Sequence, residues 1–208
     1  LNTPDGKQPK NLDERLADFK YINGKLFEGH LPLASWDGAM RVTLLDCASL
    51  NWSAISPAIF GALFQSAMDP KQRRNLGAHY TSEQNILKLI KPLFLDELWV
   101  EFEKVKSSAP KLAQFHKKLS ELRFLDPACG CGNFLVITYR ELRELEIEVI
   151  KAQLKGQQVV DVDKLVLLNV DGFYGIEIEE FPAQIAQVAL WLVDHQMNQR
   201  ISAAFGEY

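Results

Sequence analysis

The chain has 208 residues, 47% of them hydrophobic and 24% charged, and a net charge of −4 at pH 7. That length suits one ordinary domain with an appendage, or two small ones, and the apolar share excludes a chain disordered by composition. No run approaches the roughly 20 apolar residues of a membrane span, and no charged-then-apolar leader opens the sequence.

Three cysteines (Cys47, Cys129 and Cys131) make an odd count without framework spacing, which fits a reducing cytoplasm. The first residue is Leu1 rather than Met, so further sequence is expected upstream. Charge is unevenly spread. Residues 1–120 hold 16 Lys and Arg against 13 Asp and Glu, a net of +3, whereas residues 121–208 hold 7 against 14, a net of −7. Phosphates bind Lys and Arg clusters, so the acidic part is not the surface that would grip a nucleic acid.

Residues 1–9 are polar and turn-rich, an end expected to fray. Leu12, Leu16, Phe19, Ile22 and Leu26 recur at helical spacing over residues 10–27, and the loop that follows (29–38) holds Pro32. Residues 40–50 are ambiguous by period; a helix is favoured because Val42, Leu45 and Ser49 share a face. Ser56 before Pro57 is a helix-start signal, with Ile59, Phe60, Leu63, Phe64 and Ala67 as the packing face and Asp69-Pro70 as the stop. Arg73 and Arg74 are read either as a solvated pair or as partners of a phosphate or an acidic neighbour, and His79 as packing or a hydrogen bond to its loop. Thr81 and Gln84 have capping-box spacing, which predicts a helix from about Ser82; Ile86, Leu89 and Ile90 form its stripe, and Pro92 kinks or ends it. Residues 95–121 are amphipathic with a break at 107–110, and the charges at 101–106 are a solvated face.

Residues 122–135 read LRFLDPACGCGNFL. Leu122, Phe124 and Leu125 predict a buried strand, Asp126 ends it, and Ala128 to Gly132 make a glycine bend into a long helix. Such a bend brings bare backbone N–H groups against a ligand, and Gly130 and Gly132 allow close approach and unusual φ/ψ. The third glycine of a dinucleotide fingerprint is missing, since that position is Leu135, and there is no Gly-Lys-Ser/Thr of a phosphate loop. Asp126 would repel a pyrophosphate. It suits a ligand with a cationic amino-acid end, such as S-adenosylmethionine. The competing reading is a turn that only joins strand to helix. Cys129 and Cys131 look like half a metal site, but no second pair follows, so no metal is expected.

The helix over 134–155 places Leu135, Tyr139, Leu142, Leu145 and Val149 on one side and ends at Gly156. A connector leads to a second strand, residues 170–177, that closes on Glu177; an acid there is the usual partner of ribose hydroxyls. Glu179 and Glu180 suit the dipole of the next helix (181–197), whose Ile185, Val188, Ala189 and Leu192 are expected to face the sheet.

Three of these stretches carry a resemblance. Asp126 to Leu135 closely resembles the cofactor motif of amino-group DNA methyltransferases, D-P-A-C-G-S-G-N-F-L, with Cys131 in place of the usual Ser. Gly77 to Ser82 (G-A-H-Y-T-S) resembles the preceding motif, and Tyr174 to Trp191 the following one. In this order, over about residues 50–205, they most resemble the MmeI-like (type IIG/IIL) restriction–modification enzymes, which fuse a nuclease, a methyltransferase and a target-recognition region. The resemblance implies an S-adenosylmethionine-dependent adenine-N6 DNA methyltransferase. It implies Tyr80, Thr81, Asp126, Ala128, Gly130, Gly132, Glu177 and Ile178 as cofactor-binding residues, with Glu177 on the ribose and Ile178 against the adenine. The expected fold is α/β: the first parallel strands of an incomplete Rossmann-like class I methyltransferase (76–208), preceded by an all-helical region (1–75). Double-stranded DNA would be bound by other parts of the parent protein.

The family's catalytic Asn/Asp/Ser-Pro-Pro-aromatic loop has no counterpart, because the sequence contains no Pro-Pro, and no Glu-x-Lys of a nuclease occurs. No catalytic residue is therefore expected in this chain, which should be silent alone. An RNA or protein methyltransferase and a non-catalytic helical module are the alternatives.

Overall fold

The computed structural model describes residues 35–50, 55–67, 81–155 and 163–206. The chain divides into two compact units, Leu1–Trp52 and Ser53–Tyr208. In the first, α1 (Gly38–Ser49) is capped by Asp37, whose side chain accepts from the N–H of Met40. The helix favoured for residues 40–50 is present, but its Val42 and Leu45 are exposed. The expected helix over 10–27, the loop ahead of residue 35 and the Asp69-Pro70 stop lie outside the described residues, as do Arg73, Arg74, His79 and Tyr80.

The second unit is mostly helical: α2 (Ile59–Ala67), α3 (Glu83–Ile90), α4 (Asp96–Val105), α5 (Ala109–Glu121), α6 (Asn133–Leu154) and α7 (Glu180–Phe205). Two strands, β1 (Phe124–Asp126) and β2 (Phe173–Gly175), pair in parallel with Phe124 opposite Phe173 and Asp126 opposite Gly175. α6 is the crossover between them, as parallel pairing requires.

α6 is the centre of the core. Leu135, Val136, Ile137, Tyr139, Leu142, Leu145, Ile147, Val149 and Ile150 are all buried. A helix buried almost all round has to be packed on several sides. α5, α7 and α3 supply those sides, and the sheet meets α6 through Tyr139, whose ring stands edge-on to Phe173 at 5.1 Å. Phe173 stacks on Phe124, and Phe94 meets Phe124 at a tilt of 51°, each pair with 5.1 Å between ring centres. These aromatics cover one sheet face only. Leu125, expected inside, is on the other face and 59% exposed, together with Tyr174.

Several boundaries differ from expectation for local reasons. Ser82 caps α3 through the N–H of Asn85, one residue later than the Thr81 cap read from the sequence. The α-helical run ends at Ile90, just ahead of Pro92. The chain widens into a π-helical turn, Lys91–Leu95, which absorbs the missing N–H, and continues as α4. Residues 106–108 break α4 from α5 as expected. Of the face foreseen for α2, Ile59, Phe60 and Leu63 are exposed, and the side chains of Phe64 and Ala67 lie outside the described residues; Pro57, Ala58 and Gly61 are buried. α6 closes with Lys155 in the left-handed region (φ 49°), so the cap falls one residue before the expected Gly156. Residues 170–172 form a 3-10 turn and the strand stops at Gly175, so it is three residues long and Glu177 stands two residues beyond its end rather than closing it. α7 packs on α6 through Pro182, Ala186, Ala189, Val193, Met197 and Ile201; Ala189 alone of the four foreseen residues is fully buried.

Candidate functional site

β1 and β2 end side by side, and the glycine bend is sewn to both. The N–H of Ile176 donates to Asp126 O (2.9 Å), and the N–H of Cys129 donates to Ile176 O (3.0 Å). Asp126 Oδ1 accepts from the N–H of Ala128 at 3.1 Å, a side-chain turn around Pro127. The N–H of Gly132 then donates to Cys129 O at 2.8 Å and delivers the chain to the first turn of α6.

Gly130 and Gly132 both take left-handed φ, +53° and +79°. Their surroundings differ. A β-carbon on Gly132 would lie 2.8 Å from that of Ala186, so α7 passes directly against it. A β-carbon on Gly130 would meet nothing within 4 Å. Gly132 serves packing. Gly130 faces open space.

Glu177 stands across the bend. Its Oε2 accepts from the N–H of Gly130 at 2.8 Å, and Oε1 accepts from the N–H groups of Ile178 (2.9 Å) and Glu179 (3.0 Å). A carboxylate has about four lone-pair positions. Three are used, and the fourth, on Oε2, remains. Next to it, Ile178 is 91% exposed.

The field of these acids is felt by the thiols between them. Cys129 is pushed up to about 11, chiefly by burial and then by the charges of Asp126 and Glu177. Cys131 is also pushed up to about 11, by burial and then by Glu177 and Cys129. Both thiols are neutral at pH 7 and so are poor nucleophiles. Among the described residues no group of three or more His, Cys, Asp and Glu is placed to hold a metal ion.

Asp126, Ala128, Gly130, Gly132, Glu177 and Ile178 are thus gathered at one end of the sheet. Thr81 is exposed ahead of α3, and no hydrogen bond joins it to the bend among the described residues. It is tied there indirectly: Glu83, in the first turn of α3, accepts from Arg140 Nη2 of α6 at 2.7 Å. Arg140 and the buried Glu146 do not stand out in the sequence. Both lie in a run of alternating charges on α6 that resembles an ordinary solvated face.

The family model described as MmeI, DNA-methyltransferase domain, matches residues 102–208. The chain belongs to that family. A solved structure of the Type IIL restriction-modification enzyme MmeI in complex with DNA is 72% identical, with a TM-score of 0.87 over 100% of this chain and 28% of that one. DNA methyltransferase A of Bacillus subtilis (strain 168) is 40% identical over 95% of this chain. Adenine-specific methyltransferase BrxX of Escherichia coli O9:H4 (strain HS) is 30% identical over 38% of it. The chain spans 22% of the Bacillus relative's length and 6% of BrxX. The MmeI-like resemblance read from the three motifs is borne out.

Proposed function

We propose that the chain is the S-adenosylmethionine-binding portion of a site-specific DNA adenine-N6 methyltransferase, part of a bifunctional restriction–modification enzyme. The observation that carries this reading is the pairing of an open glycine bend with two carboxylates, Asp126 and Glu177, the second already bonded to the N–H of Gly130 at 2.8 Å. The cofactor has an ammonium, a sulfonium and a ribose diol. Asp126 suits the cationic amino-acid end. The remaining lone pair of Glu177 suits a ribose hydroxyl, and the exposed Ile178 an adenine face. When bound, the cofactor supplies an electrophilic methyl group.

Residues 76–208 are the front of the methyltransferase domain in this reading, and the two-stranded sheet is the beginning of a Rossmann-like one. The adenine target is favoured by the likeness to BrxX, described as adenine-specific. DNA is engaged by other parts of the parent protein, in keeping with the acidic charge of residues 121–208. A cytoplasmic location is in keeping with the cysteine usage.

Calorimetric titration with S-adenosylmethionine tests the reading. Wild type should bind, Asp126→Ala should bind at least tenfold more weakly, and Gly130→Val should not bind. A wild-type chain that gives no heat of binding points instead to a non-catalytic helical module. The chain alone should transfer no methyl group to DNA, because it contains no Pro-Pro loop to hold an extruded base.

A further inference from the structure

We propose that Glu146, in the middle of α6, is a positioning residue for the glycine bend: by holding the connector ahead of β2 it sets where Glu177 stands. The inference rests on the cofactor reading above and extends it to a residue far from the bend.

Glu146 is wholly buried, with Arg143 and His116 beside it at 1% and 3% exposure. Its Oε1 accepts from the N–H groups of Leu167 and Leu168, both at 2.8 Å, and lies 2.9 Å from His116 Nε2. Its Oε2 is 3.2 Å from Arg143 Nε. Arg143 Nη1 in turn donates to the carbonyl of Leu168 at 3.3 Å. The pair therefore takes hold of the connector backbone from both sides, N–H and C=O.

A buried carboxylate is an expensive way to fill space, and well-packed apolar residues usually do as well or better. What an apolar residue cannot do is accept two backbone N–H groups from a segment that belongs to no helix or sheet. Those N–H groups lie just upstream of β2. β2 pairs over three residues, and the two bonds of Ile176 to Asp126 and Cys129 carry its ladder to the bend; a slip by one residue would break both and turn every side chain to the opposite face. Glu177 would then leave Gly130. With Leu167 and Leu168 fixed to α6, and the bend fixed to the start of the same helix, one rigid element spaces both halves of the site. A role confined to fastening α7 is met by other contacts, because Asp194 and Asn198 bond Arg143 rather than Glu146.

The decisive variant is Glu146→Asp in the full chain, which keeps the charge beside Arg143 but withdraws the oxygen from the connector. Amide hydrogen exchange followed by NMR should quicken at least tenfold at Gly130, Ile178 and Glu179, the three N–H groups held by Glu177. The interior of α7 should be unchanged. S-adenosylmethionine affinity should fall about tenfold, and this loss should vanish in a Glu177→Ala background. A folded variant whose three amides stay as protected as in wild type overturns the proposal. If Glu146→Asp does not fold, native-state exchange of wild type decides. Opening of Leu167 and Leu168 together with Gly130 supports the coupling, and opening of the connector alone refutes it. Altered exchange in a chain that binds no S-adenosylmethionine leaves the positioning intact and removes the cofactor reading.

Discussion

Glu177 reaches the backbone N–H of Gly130, 47 residues earlier in the chain, at 2.8 Å. The bond closes the end of a sheet too short to close itself. Glu177→Ala should cost about 1.5–3 kcal/mol, the range of a hydrogen bond to a charged group. Glu177→Gln should cost nearly as much, because its amide can present N–H against N–H at Gly130. Urea denaturation of the two variants beside wild type reads both values; a neutral Glu177→Gln would mean that the carboxylate charge is immaterial there.

The two glycines of the bend should respond differently to the same substitution. Gly132→Ala drives a methyl group into Ala186 and holds alanine in the left-handed region, so about 2–4 kcal/mol should be lost. Gly130→Ala meets open space and should lose only the conformational part, roughly 1–2 kcal/mol. Its larger effect should fall on cofactor affinity. Denaturation midpoints and titrations of the pair separate the two roles.

The thiols of Cys129 and Cys131 predict an alkaline limb of stability. Each titrates near 11 in the folded chain against an ordinary value of 9.0, so the fold favours the protonated form. That contribution is complete below pH 9 and is lost as pH rises from 9 towards 11, where the unfolded chain has released the protons. Urea midpoints at pH 8, 9.5 and 10.5 should fall, and Cys131→Ser should flatten the fall. At pH 8.5 both thiols should react with iodoacetamide more slowly than a free peptide thiol.

Arg140 and Glu83 join α6 to the first turn of α3, but both side chains are partly exposed. A double-mutant cycle with Arg140→Met and Glu83→Gln should therefore return a coupling of no more than about 1 kcal/mol. If Thr81 serves the cofactor, Arg140→Met should weaken S-adenosylmethionine binding by more than that stability change accounts for.

The bend was legible because it is local. An acid, a proline and two glycines at fixed spacing constrain the backbone whatever surrounds it, and the start of α6 was read to within one residue. Pro92 was legible as a disturbance but not as a π-helical turn, because periodicity cannot say where an extra residue will be absorbed. Glu146 was barely legible. Glu141, Glu144, Glu146 and Glu148 look alike in sequence, and only the packing of α5 and the connector over one of them makes it different. The one signal was that Leu145 and Ile147 flank Glu146 on both sides, as on a helix buried all round. The same holds for Leu125: its burial depends on what covers the second face of the sheet, which the strand itself does not encode.

The wide turn at Lys91–Leu95, where the N–H of Asp96 reaches back to Lys91 O, has one further effect. It acts as a phase shifter. One additional residue per turn sets back the azimuth of everything after it by about 100°. With that offset, Leu98 and Phe102 point inwards, and Phe102 meets Phe115 of α5 with ring centres 6.3 Å apart. Deleting a single residue from the turn would leave the composition of α4 intact and roll its aromatic seam out into water, with the exposed Val100 brought round towards the interior.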